Sequence, residues 1–521
     1  MISIRDALWT GLVLIAPAFG WYYYKARSHK IAIHPPSPLY LPFFGHLFSL
    51  PSGPEHVLYA KLGKDLKSDI IYLNLLGHDI IVLNSSQVAS ELLDKRSSMY
   101  SDRFCPLMFR DKSLFDWSTS PALLGYNDIW RHHRRMMNKW LNVRDVAQFH
   151  KTQETRTRSL LQRLLTVSNE ATPFDSVKNE FYFAMGSSIF QMVYGYITQG
   201  KSDPFFRAAH EADEHATKAV MITNFYVNIF PFLNHFPEWM PGTGWKRTVR
   251  DWREQKVYAL NAPFRWTQNQ VNQGTSEPSI IGDLLQDNNI MSGLSNEERD
   301  NRLKELAHVL YSGGTDTTSS LLLSFVAAMV LNPHVQTQAQ TEIDLILGFG
   351  VLPTMSDRER LPYVNRLILE LMRWRPALPI GLPHRCSQDD TYRGYNIAKG
   401  SIMIGNIWSM SRDEKLYQDP ETFNPNRFLD PEVPPIPIFG WGRRKCPGIY
   451  FGEASLFITI SSLLAMFTFS KKNTSNGGYI EPLIEDTSNS LIIEMKPFEF
   501  EFAVRSEMHY RVINNGADSR S

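Results

Sequence analysis

The sequence predicts a mainly α-helical body with small β-sheets near both of its ends, carried behind one N-terminal transmembrane helix. Three observations predict it. An uncharged apolar run opens the chain, helical spacing of apolar residues dominates from about residue 88 to residue 350, and short β-branched runs flank that stretch. No internal repeat and no long low-complexity linker divides the 521 residues, so the body is expected to fold as one unit.

The opening run covers residues 7–24, eighteen positions without a charge. As a helix it spans about 27 Å, close to the hydrocarbon thickness of a bilayer. Trp21 and Tyr22 to Tyr24 form an interfacial aromatic group, and Lys25, Arg27 and Lys30 follow. Positive charge on that side places the body in the cytosol. The other reading is a cleaved signal peptide. The basic group lies after the apolar run and no small-residue cleavage site is evident, so an anchor is expected. Pro35, Pro36, Pro38, Pro42 and Pro51 then make a stiff, non-helical hinge. The sequons at Asn84 and Asn473 are unused if the body is cytosolic.

Residues 69–83 read as a hairpin around a Gly77-His78-Asp79 turn. A long helix is expected from about Asn296 to Leu331, with a cap at Ser295 and a stop at Pro333. Its centre carries Gly313, Gly314, Thr315, Asp316, Thr317 and Thr318. Two glycines inside a helix cost about 1 kcal/mol each relative to alanine. They allow either a flat ligand or a neighbouring helix to approach closely. A threonine beside an acid can relay protons. Short strands return over 391–408, and a final helix is expected over about 447–467, starting at Pro447.

Composition limits the function. Formal net charge is +1, so no bulk field favours nucleic acid. Cys105, Cys386 and Cys446 are scattered and odd in number, which argues for a reducing compartment. No CxxC pair is present, so structural zinc is not expected. Any special cysteine acts alone. Cys446 is the candidate, because Arg444, Lys445 and the following helix N-terminus all favour thiolate, the metal-ligating form. Phe439, Gly440, Gly442 and Gly448 surround it, and the glycines let backbone approach closely.

The segment Phe439-Gly-Trp-Gly-Arg-Arg-Lys-Cys446-Pro-Gly448 resembles the haem-binding signature of the cytochrome P-450 superfamily at every fixed position. Gly313-Gly314-Thr315-Asp316-Thr317-Thr318 resembles its oxygen-activation motif. Glu370-Leu-Met-Arg373 and Phe423-Asn-Pro-Asn-Arg427 resemble its charge-network motifs. The resemblance spans nearly the whole chain and is nearest to fungal microsomal members of secondary metabolism. It implies a cytochrome P-450 fold over 53–510, with 1–30 as anchor and basic flank, 31–52 as hinge and 511–521 as tail. It also implies haem b (iron protoporphyrin IX) with Cys446 as axial iron ligand. Arg444, His384, Trp130, Arg134 and Arg103 would hold the haem propionates, and Phe439, Gly440 and Gly448 would form the cysteine loop. Glu370, Arg373 and Arg427 would form a buried network needed for haem incorporation. Thr317 would position dioxygen and a water, and Asp316 would link that water to bulk protons.

The implied activity is monooxygenation of a lipophilic small molecule, a terpenoid or other secondary metabolite, at the endoplasmic reticulum membrane. No flavin or iron–sulfur sequence is present, so electrons are expected from an NADPH-cytochrome reductase, with cytochrome b5 as a further donor. Arg131, Arg135, Lys139, Arg443 and Lys445 form either a docking face for that reductase or a solvated basic surface. The expected substrate lining comprises Phe104, Met108, Phe109, Leu114, Phe115 and Trp117, then Phe230, Phe232 and Phe236, then Leu378, Ile380 and Leu382. These aromatics read equally as core. A haem-thiolate isomerase or dehydratase, which needs no external electrons, and a non-catalytic haem sensor are the competing readings. The acid and threonine of the long helix favour the monooxygenase.

Overall fold

A computed structural model describes residues 33–515, apart from residues 42–44, 47, 48, 50–52, 76, 475 and 488. The expected anchor at 7–24, its basic flank, part of the proline hinge and residues 516–521 of the tail lie outside the described residues. The body is built from helices α1 (Glu55–Asp65), α2 (Asp128–Leu141), α3 (His150–Val167), α4 (Phe174–Tyr194), α5 (Pro204–Ala219), α6 (Trp245–Gln273) and α7 (Asn296–Leu331). They are followed by α8 (Pro333–Leu347), α9 (Pro362–Trp374), α10 (Ile449–Met466) and α11 (Glu507–Asn515).

Helix α7 organises the molecule. The Ser295 hydroxyl accepts from the Glu298 N–H, and the Glu298 carboxylate accepts from the Ser295 N–H, a reciprocal cap worth about 1 kcal/mol. Pro333 ends it by opening α8, where a missing N–H costs nothing. Its 36 residues span about 54 Å. Leu322, Phe325 and Val326 are fully buried in the main core beside α10. Both α7 and α10 are apolar and long enough to cross a membrane, but most of each apolar stretch is buried inside the protein, as core helices are.

Strands β1 (Ile70–Leu75), β2 (His78–Leu83), β3 (Asp102–Arg103), β4 (His384–Arg385), β5 (Asp390–Tyr392), β6 (Tyr395–Ile397) and β7 (Ile402–Gly405) surround the helical body. β8 (Phe467–Ser470) and β9 (Glu501–Val504) close it. One mixed sheet has the order β1-β2-β7-β4-β3, with only β2 and β7 parallel. Its edge pairs Arg103 with His384, bringing together two candidate site residues from distant parts of the sequence.

Four boundaries differ from expectation. β2 already begins at His78, so His78 and Asp79 belong to the strand and not to the turn. Asp79 is held in the ladder opposite Asn74, accepting from the Tyr72 hydroxyl and the Asn74 amide at 2.7 Å each. After β7 the chain turns into a short helix at Ile407–Met410, because the Asn406 side chain caps the Ser409 N–H. Pro447 precedes α10, which Gly448 caps. Finally, α11 runs across position 510 and buries His509 and Ile513.

Candidate active site

A cavity of about 300 Å³ lies between α7 and the cysteine loop. Each wall has a local cause. Asn127 caps α2 by accepting from the Trp130 N–H at 2.9 Å, which starts the helix so that Trp130, His133, Arg134, Met137 and Leu141 share one face. On α7 the cavity face is Val309, Gly313, Thr317 and Leu321, spaced four apart. Gly313 meets open space, whereas a Cβ on Gly314 would lie 2.4 Å from Ile189 Cδ1 of α4. Gly313 thus leaves room beside the cavity, and Gly314, which also lines it, lets α4 pack closely.

The same contrast predicts two variants. Gly313→Ala is expected to raise stability by about 1 kcal/mol through helix propensity while shrinking the cavity. Gly314→Ala is expected to lower it, since Ile189 must move. Chemical denaturation of both proteins measures the difference, and equal shifts would contradict the packing described.

The cysteine loop is fixed by its backbone. The Cys446 N–H donates to the Phe439 carbonyl at 2.8 Å. Gly440 and Gly442 have φ of +74° and +52°, left-handed values that favour glycine. A Cβ on Gly442 would stand 2.5 Å from the Leu93 carbonyl oxygen, so only glycine fits. Cys446 opens into the cavity. Its thiol does not have the low pKa expected from the sequence. Burial pushes it up, and the Gly448 N–H and Arg134 only partly oppose that. The neighbouring Lys445 is exposed and lends no such help.

The cation wall is the clearest feature. Arg103 and Arg444 are each 8% exposed and have only carbonyl partners in their hydrogen bonds. Arg444 donates to Ser101 O at 2.7 Å and Leu124 O at 2.6 Å, and its guanidinium lies 4.2 Å over the Trp130 ring. Arg103 donates to the Leu382 and Pro383 carbonyls, and its Nε is buried without a partner. Arg134 donates to Lys445 O at 2.9 Å. Burial pulls Arg444 down to about 9 and also lowers Arg103 and Arg134. Guanidinium groups nevertheless stay charged at neutral pH, so the wall is under electrostatic load. His384, bonded through Nδ1 to Tyr100 O at 2.7 Å, is held neutral by burial and by Arg103 and Arg444.

Cations hydrogen-bonded only to carbonyls, an apolar slot, a lone cysteine and an open glycine face fit a flat ligand with anionic arms and a metal at its centre. Haem has that form. Cys446 would ligate the iron, and Arg103, Arg134, Arg444, Trp130 and His384 would hold the propionates. All of the expected site residues line the cavity except Asp316, which lies one position around α7 on the adjoining face. Behind the loop, Glu370 accepts from Arg373 at 2.7 Å through both oxygens and from Arg427 Nε at 3.0 Å. Arg373 and Glu370 are fully buried.

The expected substrate lining is corrected in part. Leu378 and Leu382 line the cavity, but Ile380 is buried in the core beneath the sheet. Met108, Phe109, Leu114, Phe115 and Trp117 form a separate core, with Phe109 and Phe115 edge to face at 5.1 Å. Phe104 packs on the sheet core, and Phe230, Phe232 and Phe236 do not reach the cavity. The residues missed, His133, Met137, Val309, Leu310 and Ile189, were readable in part from helical spacing to Trp130 and Gly313.

Known proteins are similar to this chain in sequence. The sequence profile of the cytochrome P450 family matches residues 35–501. Cytochrome P450 monooxygenase 208 of Postia placenta is 35% identical, covering 95% of both chains. Cytochrome P450 monooxygenase 98 of the same fungus is 34% identical, covering 94% of both. Tryptamine 4-monooxygenase of Psilocybe cyanescens is 31% identical over 93% of this chain and 96% of its own. With that profile over a cavity built for haem, the chain belongs to the cytochrome P450 family and is a haem-dependent monooxygenase.

Proposed function

We propose that the enzyme inserts one oxygen atom from O2 into an uncharged lipophilic metabolite, of terpenoid or related secondary-metabolite type. The observation that carries this is the cavity lining, which is largely apolar and includes no Asp or Glu among the described residues. A substrate ammonium group would find no Asp or Glu in this lining, so an amine such as the Psilocybe relative's name implies is disfavoured here. Bound haem b supplies dioxygen activation, with the thiolate donating electron density. The chain's residues do the rest. The cation wall would hold the propionates and fix the ring. The apolar lining excludes water. The Thr317 hydroxyl donates to Gly313 O at 2.7 Å and presents its lone pairs to the cavity. Burial and Asp213 push the Asp316 carboxyl well above the usual carboxylate range.

Electrons come from an NADPH-dependent flavoprotein reductase, with cytochrome b5 as a further donor. Arg135, Arg443 and Lys445 are exposed on the cysteine side and suit an acidic partner. Arg131 and Lys139 are engaged by Asp128 and Asp287 and contribute less. The run at 7–24 anchors the enzyme in the endoplasmic reticulum membrane, and exposed Tyr226, Phe232, Phe236 and Trp239 face the bilayer.

Incubation with reductase, NADPH, isotopically labelled O2 and a panel of neutral terpenoids is expected to give product carrying one labelled oxygen. Labelled product formed without reductase, or NADPH consumption with no labelled product from any neutral substrate, would count against the proposal. In the same assay Thr317→Ala is expected to lower product formed per NADPH by about tenfold, with hydrogen peroxide rising to match. Unchanged coupling would remove Thr317 from the reaction.

A further inference from the structure

One ring of the cysteine loop has no part in the site as described. Trp441 is 4% exposed and lines the cavity, yet it is neither the cysteine nor a member of the cation wall. The far edge of its indole meets backbone. A Cβ on Gly405 would lie 2.3 Å from Trp441 Cη2 and 2.5 Å from Cζ3, so only glycine lets the ring in. Gly405 ends β7 opposite Leu83 of β2, and the next N–H, that of Asn406, donates to the Leu83 carbonyl at 2.9 Å. The ladder thus fixes this strand end. The same Cζ3 would lie 3.6 Å from a Cβ on Gly381, whose φ of +58° bends the chain between Leu378 and Leu382. That Cβ would also be 4.0 Å from the Gly405 oxygen, so ring edge, strand end and bend meet at one point. The Gly381 N–H donates to Leu378 O at 3.2 Å, and the Trp408 N–H donates to Pro379 O at 2.9 Å. Leu378 and Leu382, on either side of the bend, line the cavity.

We propose that Trp441 is a positioning residue for specificity: its indole edge props the Leu378–Leu382 bend against Gly405 and so sets how far the two leucines reach into the cavity. It acts on a ligand through those leucines. The inference rests on the cavity as the substrate site and not on which metabolite is oxidised there. Positions 405 and 441 then form one unit, since glycine is required where the tryptophan arrives. A shorter ring leaves room beneath the bend, and close-packed interiors fill such room by partial collapse. The bend settles toward the cysteine loop and the leucines narrow the cavity. The loop itself keeps its other anchors, the Cys446 N–H on Phe439 O at 2.8 Å and the Gly442 N–H on Asp94 Oδ1 at 2.5 Å.

Two nitrogen ligands of haem iron test this in the haem-loaded enzyme without turnover. Imidazole is the reference for the iron itself, and 4-phenylimidazole adds an apolar ring that needs room beside it. Spectral titration gives a dissociation constant for each. Trp441→Phe is expected to raise the ratio of the 4-phenylimidazole constant to the imidazole constant on the order of tenfold, the lower end of what one misfitted methylene does in an apolar pocket. Trp441→Phe combined with Gly405→Ala is expected to bring the ratio back toward the parent's, because the added Cβ takes up space that the indole left. A ratio unchanged or lowered in Trp441→Phe overturns the proposal, and so does a raised ratio that Gly405→Ala does not restore. A merely structural tryptophan would lower the denaturation midpoint in Trp441→Phe and leave the ratio alone. Should Trp441→Phe lose haem, Trp441→Tyr, with its longer reach, is titrated in its place. Neither azole is oxidised in the assay, so failure here leaves the oxygen-insertion reading standing, and absence of labelled product leaves the ratio test intact.

Discussion

Cys446→Ser is expected to reduce oxygen insertion to background and to remove the thiolate-type band from the reduced carbon monoxide spectrum. The reason is that the cavity has one cysteine, seated by the Phe439 carbonyl and the Gly448 N–H, and no second group in that position. A serine hydroxyl keeps the loop geometry but does not supply a soft anionic sulfur donor. The cation wall is untouched by the change, so some haem is expected to remain bound through its propionates. Haem content and the carbon monoxide spectrum therefore separate two functions of the site. Retention of the thiolate band in Cys446→Ser would show that another residue ligates iron.

Glu370→Gln is expected to lose the folded, haem-loaded enzyme altogether. The carboxylate holds Arg373, which has no exposed surface, and Arg427. Removing one partner of a buried pair costs about 3–5 kcal/mol, because the remaining charge stays desolvated. That is a large share of the roughly 5–15 kcal/mol by which domains are stable. Arg373 also donates to the Ser411 and Pro420 carbonyls at 2.7 and 2.8 Å, so replacing it by leucine as well would orphan those acceptors and give no rescue. Expression followed by measurement of soluble protein and haem per chain tests this. A Glu370→Gln protein with normal haem content and denaturation midpoint would refute the network's role.

Residues that act through local sequence were legible. The cysteine loop, the cap at Ser295 and the 36-residue helix all stand where the sequence placed them, because each depends on neighbours within a turn or two. The pairing of Arg103 with His384 was not legible as contact, since a two-residue edge strand has no local signature. The aromatic loop from Phe104 to Trp117 misled for a different reason. Apolar residues line pockets and fill cores alike, and here the rings satisfy one another. The expected acidity of the Cys446 thiol failed because local charge was legible and enclosure was not.

The wall formed by Arg103, Arg134 and Arg444 has a consequence for the life of the protein in the cell. Like charges enclosed with carbonyl partners alone make the cofactor part of the interior, its acid groups completing a core that the polypeptide leaves electrostatically open. Each hundredfold excess of such a ligand over its dissociation constant adds about 2.7 kcal/mol to the folded state. Stability of newly made chains is thus expected to rise and fall with tetrapyrrole supply.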